Sequence, residues 1–323
     1  MPTFNRRVAI GLIAIAASAG ALAQSFPSKP IRVIVPYPPG GTTDIVARLA
    51  AQQIGEKLKT QVIVDNRAGA NGAIGAVEVA RAPADGYTLL MATASTHGIN
   101  SAVYRNLPYD AVKDFSPVSN VASTPNIIAV HPSVPAKNLQ ELLALARAQP
   151  GKLNFGSTSL GGSPHMSAEL LKMMANVDMV HVPYKGAAPM LTDLMGGQVQ
   201  IGFDNLPSTI GFVKAGKVRA IAVTTPQRWP GAPDIPTVAE SGLPGYEVSG
   251  WFGLLAPAGT PKAVVDTLQQ AVADALKQPE VRQQLLDLGA SPVGSTPDAF
   301  ARQIAADVQK WRDVVKTTGL KLD

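Results

Sequence analysis

Two rhythms of apolar positions alternate along this chain. Short continuous apolar runs, bounded by Gly, Pro, Asn or Asp, predict buried strands at 31–35, 61–65, 88–92, 127–130, 153–157, 179–182, 201–203, 220–223 and 250–256. Between them, apolar residues recur at helical spacing over 43–58, 72–81, 139–148, 163–175 and 187–196. In the first of these the stripe is Ile45, Val46, Leu49, Ile54 and Leu58. Strands that are apolar throughout, alternating with helices, predict α/β domains with largely parallel sheets covered on both faces. After 256 the strand rhythm stops. Residues 261–277, 279–288 and 296–317 read as three helices, with Pro261, Pro279 and Pro297 near their starts, where a missing N–H is tolerated.

Two stretches read as crossings between domains: 121–126 (VASTPN) and 223–227 (VTTPQ), each leaving a strand and each carrying Thr-Pro. They divide the chain into a discontinuous first lobe, 24–122 plus 226–323, and an inserted second lobe, 123–225. Two short crossings form a hinge, and closure about a hinge is a way to trap a solute. A chain of this length favours two domains.

The N-terminus changes what the first residues mean. Arg6 and Arg7, an apolar run from Val8 to Ala19 and Ala21-Leu22-Ala23 make a positive region, a hydrophobic region and an A-x-A cleavage signal. Cleavage is expected after Ala23, giving an exported, periplasmic product that begins at Gln24. The formal net charge of +5 then falls to about +3. There is no Lys/Arg run and few aromatics lie near basic residues, which argues against a nucleic-acid groove. The absence of cysteine excludes disulfides, thiolate metal sites and a lipidated N-terminal Cys.

Candidate chemistry gathers where strands end, the usual place for ligands in open α/β sheets. The richest stretch is 36–44 (PYPPGGTTD), a rigid loop after the first strand that runs into a helix. Gly40 and Gly41 allow backbone conformations that bulkier residues resist, and free N–H groups at a helix start favour an anion. Residues 156–165 (GSTSLGGSPH) mirror this loop at the start of a second-lobe helix and read as its anion-facing lip. Three more polar segments follow strands: 92–98 (ATASTHG), with Ser95; Asp204-Asn205; and 182–186 (VPYKG). Each has a plainer reading. Hydroxyls after strands cap helices, Asp204 can cap the turn before Pro207, Lys185 can be a solvated loop lysine, and His97 and His165 can be structural. What favours a site is the repetition of one small-polar chemistry after five strands.

Catalytic signatures are missing. No G-x-S-x-G elbow, H-E-x-x-H or P-loop occurs, and the four histidines lack metal-ligand spacing. No catalytic residue, metal or cofactor is therefore assigned. An exported hydrolase-like enzyme on a similar frame stands as the alternative to a binding protein, and a binding protein feeding a membrane sensor as a variant of it.

Several strings together resemble the Bug/TctC family, the extracytoplasmic substrate-binding proteins of tripartite tricarboxylate transporters. They are FPSKPIR at 26–32, VPYPPGGTTD at 35–44, VDNRAGANG at 64–72, ADGYTL at 84–89, HVPYKG at 181–186, DIPTVAE at 234–240 and GLLAPAGTP at 253–261. The resemblance spans essentially the whole mature chain. It implies a type II-like periplasmic binding protein fold with two α/β lobes and a two-segment hinge. It also implies a monomer that captures a small carboxylate and passes it to a two-component integral-membrane permease. Family members hold the carboxylate through backbone amides, hydroxyls and ordered waters. Carried onto this chain, that implies ligand binding by Tyr37, Pro39, Gly40, Gly41, Thr42 and Asp44 in the first lobe. In the second it implies Ser157, Thr158, His165 and Asp204. Ser95 joins them from the 92–98 loop.

Overall fold

The computed structural model describes residues 26–318. The export signal and the expected cleavage after Ala23 lie outside the described residues.

Strands β1 (Ile31–Val35), β2 (Val62–Asn66) and β3 (Thr88–Thr93) pair in parallel, with β1 central. Helix α1 (Thr42–Leu58) links β1 to β2, and α2 (Ala73–Ala80) follows β2. After β3 the chain makes a π-helical turn, Ser95–Ile99, and the short α3 (Asn100–Val103), where a loop was expected. It then enters β4 (Phe115–Val130), which is 16 residues long. The second lobe follows as α4 (Leu139–Ala148), β5 (Asn154–Ser157), α5 (Ser163–Ala175), β6 (Val180–Pro183), α6 (Ala187–Met195), β7 (Ile201–Asn205), α7 (Leu206–Lys214) and β8 (Arg219–Val223). The chain returns through β9 (Ser249–Pro257) and ends with α8 (Lys262–Ala275), α9 (Pro279–Asp287), β10 (Ser291–Pro292) and α10 (Pro297–Thr318).

The strand order β2-β1-β3-β9-β4-β7-β5-β6 runs through both lobes, with β8 and β10 also paired to β4. The hinge is built into β4. Its residues Phe115 to Pro125 pair with β9, whereas Asn126 to Val130 pair with β7 and β8. The expected strand 127–130 is only the end of this element. Two prolines and several polar residues hide the rest, since proline argues against a central strand. Pro117 is accommodated beside a register shift, and Pro125 sits where β4 changes partners. The return crossing also differs from 223–227. Thr224 accepts the Val248 N–H, and Val238, Tyr246 and Val248 fill the second lobe's core, so the chain leaves that lobe only at Ser249. Because β4 and β9 carry the chain across in opposite directions, they pair antiparallel, and the sheets are mixed rather than largely parallel.

Side-chain alternation divides the core across each sheet. Val33, Leu89 and Leu254 pack on one side of the first lobe, and Ile34, Leu90 and Leu255 on the other. In the second lobe Ile128 and Val130 face α4 and α5, while Ala129 faces α6. α10 belongs to both lobes: Phe300, Ile304 and Val308 pack in the first, Trp311 and Val315 in the second.

Candidate functional site

Most of the described helices begin without a side-chain cap, and four of these begin at one cavity. The N-caps are Gly41 for α1, Gly162 for α5, Gly186 for α6 and Asn205 for α7; none makes a side-chain cap bond. Helix starts present backbone N–H groups and carry about half a positive charge each, although in α5 the Ser163 N–H is taken by Ser95 and Pro164 has none. The cavity between the lobes is lined by Gly41, Thr42 and Thr43 from the first start. Ser163 and Pro164, Gly186 and Ala187, and Asp204 and Asn205 come from the other three. Tyr37 and Pro38, Thr93 to Ser95, Thr158, Ser159 and Phe252 complete the wall around about 510 Å³, part of it open to solvent. None of these lining residues carries a positive side chain.

The lobes touch across this cavity. Thr42 Oγ1 donates to Ser208 Oγ at 3.2 Å, the Ser163 N–H donates to Ser95 Oγ at 2.9 Å, and the Tyr104 hydroxyl donates to Leu160 O at 3.0 Å. Asn126, where β4 changes partners, ties two of the helix starts together. Its Nδ2 donates to Ser163 Oγ and Ser167 Oγ at 2.9 and 2.6 Å, and its Oδ1 accepts from Asn205 Nδ2 at 2.5 Å.

Six of the expected site residues meet here: Tyr37, Gly41, Thr42, Ser95, Thr158 and Asp204. Burial pushes the Tyr37 phenol up to about 12, so it stays a neutral hydrogen-bonding group. Asp204 is 3% exposed, and burial pushes its carboxyl up to about 6 against the bonds it accepts. Those come from the Asn205 N–H at 2.7 Å, Ser208 Oγ at 2.5 Å and Thr209 Oγ1 at 2.9 Å. It is thus both a cavity wall and the acceptor for the N-cap N–H and two hydroxyls at the start of α7.

The other five do not line the cavity. Pro39 and Gly40 are exposed on the far side of their loop. Asp44 is turned inward, accepting from the Gly40 N–H at 3.1 Å, Arg48 Nε at 3.0 Å and Asn66 Nδ2 at 3.0 Å. Burial alone would raise its pKa, but the bonds from Arg48, Gly40 and Asn66 hold it below the usual value. Ser157 is fully buried, 2.7 Å from His181 Nε2. His165 lies behind the lip and accepts the Gly161 N–H on Nδ1 at 2.9 Å. Lys185 is exposed and stays outside the wall. The reading of single residues missed Thr43 and Phe252, and it named Asp204-Asn205 without placing the helix α7 that starts there. Phe252 had no local signal, being one apolar residue in a strand, whereas Asn205-Leu206-Pro207 is a recognisable helix entry.

Residues 46–320 match the TctC family, described as the tripartite tricarboxylate transporter family receptor. A solved structure described as a periplasmic transporter is 47% identical, with a TM-score of 0.90, covering 93% of this chain and all of that one. A protein of R. palustris solved with adipate is 41% identical over 92% of this chain and 99% of its own, with a TM-score of 0.89. MatC from Rhodopseudomonas palustris, solved with bound malate, is 36% identical over 90% of this chain and all of its own, with a TM-score of 0.85. The likeness extends over both lobes, so the fold is that of a periplasmic binding protein.

Proposed function

We propose that this chain, which belongs to the TctC family of tripartite tricarboxylate transporter receptors, captures a small carboxylate between its lobes and delivers it to a two-component integral-membrane permease. The observation that carries this reading is the convergence of four uncapped helix starts on a cavity whose described lining has no cationic side chain. Helix N-termini bind anions through N–H groups and the dipole, without a dedicated arginine. One start comes from the first lobe and three from the second, so a carboxylate seated among them joins the lobes and favours closure. Tyr37, Gly41, Thr42, Ser95, Thr158 and Asp204 are the proposed contacts. The adipate and malate held by the two solved relatives point to the same ligand class. Asp204 would face a hydroxyl, an ammonium or a bridging water of the ligand and not a second bare carboxylate.

The protein works in this reading as a monomeric receptor without turnover, in the periplasm, after removal of residues 1–23. Among the described residues no helix is long and apolar enough to cross a membrane. A thermal-shift screen of residues 24–323 against adipate, malate, other di- and tricarboxylates and acidic amino acids tests it. A saturable rise in melting temperature for one class is expected, because a ligand that binds only the folded state stabilises it by mass action. Indifference to every carboxylate, in protein shown by native mass spectrometry to carry no bound solute, would overturn it.

A further inference from the structure

Two stacked imidazoles lie directly behind the second lip, outside the cavity. His165 is the third residue of α5 and is 3% exposed. Accepting the Gly161 N–H requires its Nδ1 to carry no proton. The ring proton therefore sits on Nε2, which faces Glu169 Oε1 at 3.6 Å. His181, from β6, stacks on it with ring centroids 3.9 Å apart and planes 14° apart. Ser157 Oγ donates to Ser159 O at 3.2 Å, so in its 2.7 Å contact with His181 Nε2 it is the acceptor. The other charged group facing the pair is Lys172, which is 3.0 Å from Glu169 Oε1 and lies over the Phe155 ring that stacks on both imidazoles. The loop 158–162 is thus tied at both ends. One tie is the Ser159 carbonyl, through Ser157 and His181; the other is the Gly161 amide, through His165.

An independent observation points the same way. In the first lip the Gly40 N–H donates to Asp44, the third residue of α1, as the Gly161 N–H donates to the third residue of α5. Gly40 and Gly161 both have positive φ, +84° and +75°, and each is followed by an extended, uncapped glycine N-cap, Gly41 and Gly162. Two unrelated side chains occupy one role in two lobes. A residue at the third helical position reaches back to hold the turn that presents the helix start.

We infer that His165 is a positioning residue of the ligand site: in its Nε2–H tautomer it fastens the 158–162 loop, with His181 clamping Ser157, so that Thr158, Ser159 and the start of α5 face the cavity. This rests on the cavity being the ligand site, but the tether itself exists without ligand. The test therefore uses ligand-free protein, and a failed carboxylate screen would leave its outcome readable. Nitrogen-15 spectra of labelled histidine are expected to place both rings in the Nε2–H tautomer, and the Gly161 amide is expected to be protected from exchange. His165→Leu, which removes the acceptor, should speed exchange at Gly161 by about tenfold. His165→Asn, whose Oδ1 takes the place of Nδ1, should restore protection, which a role in packing alone would not produce. An Nδ1–H tautomer at His165 in the native protein, or unchanged Gly161 exchange in His165→Leu, would overturn the assignment. The tautomer measurement stands even if the leucine variant fails to fold.

Discussion

The two lips solve one problem with opposite chemistry. Residues 40–44 (GGTTD) and 161–165 (GGSPH) each place a left-handed glycine, a glycine N-cap and a third-position side chain that accepts the glycine N–H. In the first lip the acceptor is a carboxylate, held ionised by Arg48 and Asn66. In the second it is a ring without charge on the accepting nitrogen. A carboxylate in the first turn offsets part of the positive end of α1, while a neutral acceptor leaves that of α5 undiminished. The start of α6 likewise has no acidic residue in its first turn, whereas Asp204 offsets part of the positive end of α7. The comparison teaches that the helix starts with no acidic residue in their first turn and none beside it, α5 and α6, both belong to the second lobe, while the first lobe contributes mainly a preformed rim.

The largest effect should come from the one acidic group the second lobe puts into the cavity wall. Asp204 titrates at about 6 when folded, against 3.8 for the free side chain, so the unfolded state loses its proton first. Stability should therefore fall as pH rises from about 4 to about 6, by about 3 kcal/mol in total, and then level off. Urea unfolding across that range, compared with Asp204→Asn, checks it; a variant with the same slope would remove Asp204 as its source. Next is the acceptor of the first lip. Asp44→Ala removes the charged acceptor of the Gly40 N–H and one of the two acceptors of the Asn66 amide, and should cost about 2 kcal/mol in thermal or urea unfolding. A loss near zero would mean that the proline-rich loop holds itself.

Gly40→Ala isolates the backbone part of the device. Nothing lies within 4 Å of the added methyl, so the expected cost of about 1 kcal/mol is conformational only. Gly41→Ala, in extended backbone with only the Pro38 carbonyl oxygen near the added methyl, at 4.0 Å, should change stability by less than about 0.5 kcal/mol. Equal effects at the two positions would discard the left-handed turn as the reason for the first glycine. The contact between the lips is read in conformation and not in stability. Ser95→Ala removes the acceptor for the Ser163 N–H and should shift the closed-to-open ratio of ligand-free protein by about fivefold toward open, for a bond of about 1 kcal/mol. Small-angle scattering reads that shift as a larger radius of gyration, and an unchanged curve would deny Ser95 a part in closure.

Much of this was legible from local pattern. The first lip, with its strand, proline loop, glycine pair and helix, is visible in residues 31–58, and the second was recognisable as its mirror. What local pattern did not reveal were elements whose reasons lie elsewhere in the chain. β4 is a strand despite Pro117 and Pro125 because β9, β7 and β8 flank it. Its partner change at Asn126 falls at the end of the stretch read as a crossing, 121–126, but local pattern did not show that this stretch is part of a continuous strand. His165 was a ligand contact only by the family resemblance, since a histidine after a glycine loop looks the same in sequence whether it faces the cavity or reaches back to hold the loop.

By itself, then, the sequence determined the alternation of strands and helices, the glycine pairs at two helix starts and the small, hydroxyl-rich character of the loops. Those follow from periodicity, backbone freedom and side-chain size within a few residues. Tertiary structure alone decided that four helix starts meet, that Asp44 and His165 turn away from the cavity while Asp204 lines it, and that Phe252 closes the wall. The meeting of the helix starts and the place of Phe252 depend on groups scores of residues apart being packed together, which leaves no trace in local spacing, whereas Asp44 and His165 bond residues four positions away and only packing decides which way they turn.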